Sequence, residues 1–177
     1  MKKILAFGAS SSLKSINKQL ATFAASLVSD ADVTVLDLND FEMPIYSVDK
    51  QEEIGIPEPA IRFKKYLADS DGVIISFAEH NGTYTTAFKN IFDWASKVEK
   101  SMWLDKPMLL LSTSPGARGG STALDIAVDR FAFMNANVVG HMSLPSFYEN
   151  FEAGKGVTDE ALSLSLKQRV MLLQQSI

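Results

Sequence analysis

Cysteine is absent from the 177-residue sequence, which removes disulfide frameworks, thiolate nucleophiles, thiolate zinc sites and iron–sulfur clusters together. A chain without thiols suits a reducing compartment, so a cytoplasmic location is expected. Histidine is nearly absent too. His80 and His141 stand far apart, no metal-ligand spacing surrounds either, and no metal is expected. Basic residues are neither in excess nor clustered: 17 Lys and Arg face 21 Asp and Glu, for a formal charge of −4. No stripe of them would neutralise a phosphate backbone, which argues against nucleic acid as a partner. Long apolar runs are missing as well. The opening stretch has two lysines but only the short run of residues 4–7 before Gly8, too little for a signal-peptide core or a membrane span, so no membrane partner is expected.

What remains is ordinary globular material, 46% apolar and 21% charged, enough to bury a core within a single domain over residues 1–177. Five short apolar runs, at residues 4–7, 33–38, 72–77, 108–111 and 138–142, are mostly non-alternating and separated by helix-length segments. Buried parallel strands read this way. The spacers carry apolar residues at three- and four-residue steps over 16–28, 61–66, 87–98, 124–133 and 162–173, which predicts helices lying on a sheet. Residues 39–59 contain Pro44, Pro57 and Pro59 without a clear period and read as a long surface loop. An alternating β-α pattern with right-handed crossovers predicts a doubly wound α/β fold, most commonly with strand order 2-1-3-4-5. Its ligands bind at the carboxyl ends of the strands, which directs attention to the loops after the first, third and fourth strands.

The first of these loops is Gly8-Ala9-Ser10-Ser11-Ser12-Leu13-Lys14-Ser15-Ile16-Asn17. A helix start presents unpaired N–H groups and the positive end of its dipole, and serine hydroxyls add donors, so Ser10, Ser12, Ser15 and Asn17 form a candidate phosphate cup. No G-x-G-x-x-G occurs, and a loop rich in side chains favours a terminal monophosphate over a pyrophosphate. The same residue types also suit helix caps and solvated loop, and on this loop alone both readings stay open. The third strand leads into Ala78-Glu79-His80-Asn81-Gly82-Thr83-Tyr84-Thr85-Thr86, whose polar groups and glycine suit edge-on hydrogen bonding to a flat heterocycle. His80 reads equally well as a surface residue. After the fourth strand come Ser112-Thr113-Ser114-Pro115-Gly116-Ala117-Arg118-Gly119-Gly120, where Ser112 and Ser114 offer hydrogen bonds and Gly116 permits a tight bend close to a ligand. Arg118 suits either the phosphate of a nucleotide or plain solvation, with solvation the more ordinary role.

Residues Phe88-Lys89-Asn90-Ile91-Phe92-Asp93-Trp94 resemble the L-K-N-x-I-D-W helix of the NAD(P)H-dependent FMN reductases, and the loop before them is similar to that family's P-x-Y-N-x-S-x-P. Ala78 and Thr85 stand in place of its prolines and His80 in place of its tyrosine. The Ser112–Gly120 turn resembles the family's S-x-S-P-G-x-x-G-G, and residues 9–17 its G-S-x-[RS]-x-x-S-x-N, with Ser12 where many members have arginine. Trp94 and Asp93 read as packing within the helix and not as cofactor contacts.

The resemblance implies a flavodoxin-like three-layer sandwich that binds FMN through Ser10, Ser12, Ser15, Asn17, Glu79, His80, Asn81, Gly82, Thr83, Ser112, Ser114 and Gly116. It implies NADPH or NADH as electron donor, hydride passing through flavin N5, and a small acceptor such as a flavin, a quinone, an azo compound or a metal oxyanion. It also implies a homodimer or homotetramer. No catalytic acid, base or nucleophile is expected, because the flavin carries the redox chemistry. An electron carrier of the flavodoxin type is the alternative, although such carriers are usually much more acidic. A response-regulator receiver domain would need an acidic pair after the first strand and an aspartate after the third, where this chain has Gly8-Ala9-Ser10 and Ala78-Glu79.

Overall fold

A strand with apolar residues at consecutive positions must bury both of its faces, and this happens when helices cover a sheet from two sides. In the computed structural model, which describes residues Met1–Ile177, β1 (Lys2–Ala9), β3 (Gly72–Phe77) and β4 (Pro107–Thr113) are buried along almost their whole length. The edge strands β2 (Ala31–Leu36) and β5 (Asn137–Leu144) are less covered. All pair in parallel in the order β2-β1-β3-β4-β5, as the sequence pattern predicts.

The remaining elements are α1 (Ile16–Ser26), α2 (Val48–Ile54), α3 (Glu58–Asp69), α4 (Thr86–Ala95), α5 (Ser121–Phe133), a one-turn α6 (Phe147–Asn150), a small hairpin of β6 (Phe151–Glu152) and β7 (Gly156–Val157), and α7 (Glu160–Ser176). Successive strand residues alternate between two cores. Leu5, Phe7, Ile75 and Leu110 join an aromatic-rich cluster with Phe63 of α3, Phe88 of α4 and Phe131 of α5. Ile4, Ala6, Ile74 and Leu109 face the other way, against Leu20 of α1 and Val170 of α7. The result is the flavodoxin-like three-layer sandwich.

The segment read as a long loop over 39–59 is corrected. It holds a 3-10 turn at Leu38–Phe41 and the two-turn helix α2. Helix α2 has no buried residue, so it carries no apolar stripe for a pattern search to find. What makes it is capping: the Ser47 hydroxyl accepts from the Lys50 N–H, and Gly55, at φ +71, ends it. Asp37 explains why β2 stops before Leu38, because its carboxylate accepts the Asn39 N–H and starts the 3-10 turn.

Entry into α1 depends on Gly8. A Cβ there would lie 2.3 Å from the Lys18 nitrogen, so only glycine lets the helix start this close to β1. That contact fixes the serine-rich loop at the carboxyl end of the sheet.

Candidate functional site

The loops after β1, β3 and β4 converge on a cleft of about 230 Å³ whose walls include Ser10, Ser12, Lys14, Ser15, His80 and Ser114. The loop that joins β1 to α1 along this cleft carries unpaired backbone donors. The N–H groups of Ser11, Leu13 and Lys14 find no acceptor within the chain, whereas that of Ser12 donates to Ser10 Oγ and that of Lys18 to Ser15 Oγ. Ser15 is the N-cap of α1. Beyond it the first turn of α1 adds N–H groups with no intrahelical acceptor, together with the positive end of the dipole.

Two lysines stand near these donors, and only one is uncommitted. Lys18 Nζ lies 2.6 Å from Asp37, and this hydrogen bond, reinforced by the Asn39 N–H, holds the Asp37 carboxyl below the usual carboxylate range. Lys14 is exposed and lines the cleft. The donor set is therefore three hydroxyls, free amides, a helix N-terminus and one lysine. That chemistry fits a phosphate monoester.

Three of the expected residues have polar groups engaged within the fold. Asn17 is 2% exposed, and its side chain is spent inside the fold: Nδ2 donates to Thr113 O, while Oδ1 accepts from Ser76 Oγ and the Thr113 N–H. Asn17 still lines the cleft, and its backbone N–H, in the first turn of α1, has no intrahelical acceptor. Ser112 is fully buried and donates to Gly119 O, so it shapes the β4 turn from within. Ser114 lines the cleft in its place. Gly116 lies outside the wall, where its carbonyl accepts the N–H groups of Gly119 and Ser146.

After β3 the chain makes a two-residue hairpin. His80 and Thr83 exchange both backbone hydrogen bonds, at 3.0 and 3.2 Å, with Asn81 at φ +52 and Gly82 at φ +78 between them. Asn-Gly is the preferred pair for such a turn because both residues tolerate positive φ. Asn81 and Gly82 form the tip, Thr83 returns from it, and His80 reaches the cleft wall. Glu79 turns inward, with its side chain 12% exposed and 3.5 Å from Arg118. It accepts the Ala123 N–H, capping α5, whose own N-cap is Gly120 and offers no side chain. The negative charge that Glu79 brings to the cleft is thus largely absorbed by a helix end and an arginine. Arg118 itself is 79% exposed.

The Lys89–Trp94 motif lies outside the cleft and acts as a clamp. Asn90 accepts the Tyr46 N–H and donates to the carbonyls of Met43 and Pro44, and Trp94 Nε1 donates to Pro44 O. Lys89 pairs with Asp93. The residue that sequence reasoning missed is Tyr148, which comes from α6 to the cleft wall; no periodicity or neighbouring motif marks it.

Residues 2–149 match the model of a family described as NADPH-dependent FMN reductase. A 2-hydroxy-1,4-benzoquinone reductase from a Burkholderia species is 40% identical over 111 residues, covering 62% of this chain and 58% of that one. A quinone reductase of Escherichia coli K12 is 29% identical over 106 residues, 60% of this chain and 55% of the relative. The matched stretch therefore spans little more than half the length of these relatives. Among solved structures, the flavoenzyme FerB of Paracoccus denitrificans, an NAD(P)H:(acceptor) oxidoreductase, superposes with a TM-score of 0.78 at 25% identity, over 99% of this chain and 97% of that one.

Proposed function

The chain belongs to the NADPH-dependent FMN reductase family, and on that premise we propose that it is an oxidoreductase that uses bound FMN to pass hydride from NADPH or NADH to a small acceptor. The observation that carries this reading is a β1–α1 loop with unpaired amides, that of the cleft-lining Lys14 among them, beside the Ser10, Ser12 and Ser15 hydroxyls at the start of α1. They would hold the phosphate. FMN, when bound, supplies the redox chemistry. The chain's own tasks are to anchor the phosphate through Ser10, Ser12, Ser15 and Lys14, to seat the remainder of the cofactor between His80, with the Asn81-Gly82-Thr83 turn, and Ser114, and to keep the Glu79 charge paired.

Quinones are the acceptor class best supported, since the relatives named above are quinone reductases. The cleft is smaller than the roughly 300–1,000 Å³ usual for ligand pockets, which favours a homodimer or homotetramer in which a second copy completes the wall. We read residues 1–177 as one domain. We assign it to the cytoplasm on the lack of cysteine; no helix is long and apolar enough to cross a membrane.

The test is a titration with FMN of wild type and of Ser12→Ala combined with Lys14→Ala, two exposed residues whose loss leaves the α1 cap intact. Each hydrogen bond lost to a charged group is worth about 1.5–3 kcal/mol, so binding should weaken by about tenfold or more. Unchanged affinity would remove the phosphate from this loop. Addition of NADPH or NADH to the wild-type complex should then bleach the flavin absorbance without any second protein, which a pure electron carrier would not do.

A further inference from the structure

Tyr148 is the least explained large side chain around the cleft. The residue is 73% exposed although its ring meets Phe147 edge-on, and its backbone is rigid on three counts. The Phe147 N–H donates to Ser114 O and the Ser146 N–H to Gly116 O, both at 3.0 Å, so α6 is tied to the β4 loop on the cleft's own wall. Phe147 is 3% exposed and stacks on Phe151 at 4.7 Å, anchoring the turn from below. Ser146 sits at φ +44, in the left-handed region that non-glycine residues avoid unless the surroundings impose it. The chain thus accepts a strained residue and a buried anchor to fix the position of one ring in solvent. That ring borders the same cleft as Lys14, His80 and Pro115.

We propose that Tyr148 is the aromatic wall of the cofactor cleft, its ring lying against the flat ring system of bound FMN from the α6 side. The inference rests on the reading that this cleft holds FMN. A tyrosine offers a large, stiff, amphipathic face at small entropic cost, and an offset-stacked aromatic pair adds favourable energy beyond its buried area. The face that water now covers is the one a planar ligand would take. An edge-on contact with Phe147, at 5.5 Å between centroids and 85° between planes, holds the ring from one side and leaves the rest of it to the cleft.

The experiment follows flavin fluorescence while FMN is titrated into wild type, Tyr148→Phe and Tyr148→Ala, with circular dichroism as a check on folding. A tyrosine ring in contact with a flavin quenches its emission by giving an electron to the excited flavin, which a phenylalanine ring does far less readily. Tyr148→Phe should keep wild-type affinity while leaving bound FMN brighter, whereas Tyr148→Ala should leave it brighter and also raise its Kd about three- to tenfold. If Tyr148→Ala binds FMN with wild-type affinity and wild-type emission, the wall assignment is overturned while the cofactor site stands. If Tyr148→Phe loses as much affinity as Tyr148→Ala, the hydroxyl does the work, and the stacking assignment is overturned as well. A wild type that takes up no FMN at all would overturn the reading of the cleft itself, a different outcome with a different signature.

Discussion

Asn17 and Tyr84 are both polar and both buried, yet the fold uses one and merely tolerates the other. Asn17 joins α1 to β3 and β4 through three hydrogen bonds to partners 59 and 96 residues away. Replacing it with alanine leaves the Thr113 N–H and carbonyl and the Ser76 hydroxyl short of partners in the interior, at a cost of about 3 kcal/mol. Tyr84 lies between Phe77 and Phe88 with a hydroxyl that has no partner. Burial pushes its phenol up to about 12 against the pull of Arg130, so it stays neutral across ordinary pH and titration contributes nothing there. Tyr84→Phe removes an unpaired buried group while keeping the ring, and should stabilise by about 1 kcal/mol. Thermal unfolding of the two variants checks both signs, and a Tyr84→Phe protein that melts below wild type would show that its hydroxyl is satisfied. Sequence reading found Asn17 through its place in a helix-start pattern. It could not find the partners, because nothing local encodes contacts across so many residues.

At the scale of elements, what was legible is what packing dictates. The runs at 4–7, 72–77 and 108–111 predicted the central strands because both of their faces had to be apolar. Elements made by capping or by tight turns escaped: α2, the hairpin at Asn81-Gly82, and the α6–β7 segment that follows the fifth strand. The Lys89–Trp94 motif was recognised by resemblance, yet its physical task emerged only from the structure, where it pins Met43, Pro44 and Tyr46. Asn90→Ala removes three of those four hydrogen bonds and leaves the Trp94 bond alone. The amide of Tyr46 loses its only acceptor, so its exchange in deuterium should quicken by about tenfold, the equivalent of about 1.4 kcal/mol of local stability. The Ser10–Asn17 loop should exchange as before. Unaltered protection at Tyr46 would show that Trp94 alone holds the segment.

The molecule as a whole was the most predictable level, because right-handed crossovers leave few arrangements for five alternating units, and the observed order is the common one. The number of copies in solution was not legible, since patterns that specify a core are silent about which outer surfaces meet. Ligand linkage provides a test that integrates over the entire chain. Anything that binds the folded state alone stabilises it by RT ln(1 + [L]/Kd), or about 2.7 kcal/mol at a hundredfold excess over Kd. With an unfolding entropy of about 2.1 cal/mol/K per residue, 177 residues convert that energy into a rise of about 7 °C in melting temperature. Riboflavin carries the same ring without the phosphate. If the Ser10–Asn17 loop provides the main grip and riboflavin binds a hundredfold more weakly, the same concentration should raise the midpoint by only about 1 °C. Melting curves recorded with FMN, riboflavin and inorganic phosphate separate ring from anchor. Equal shifts from FMN and riboflavin would mean that the ring dominates and the loop is a cap with solvated serines, while no shift from either would mean that the cleft is not a flavin site.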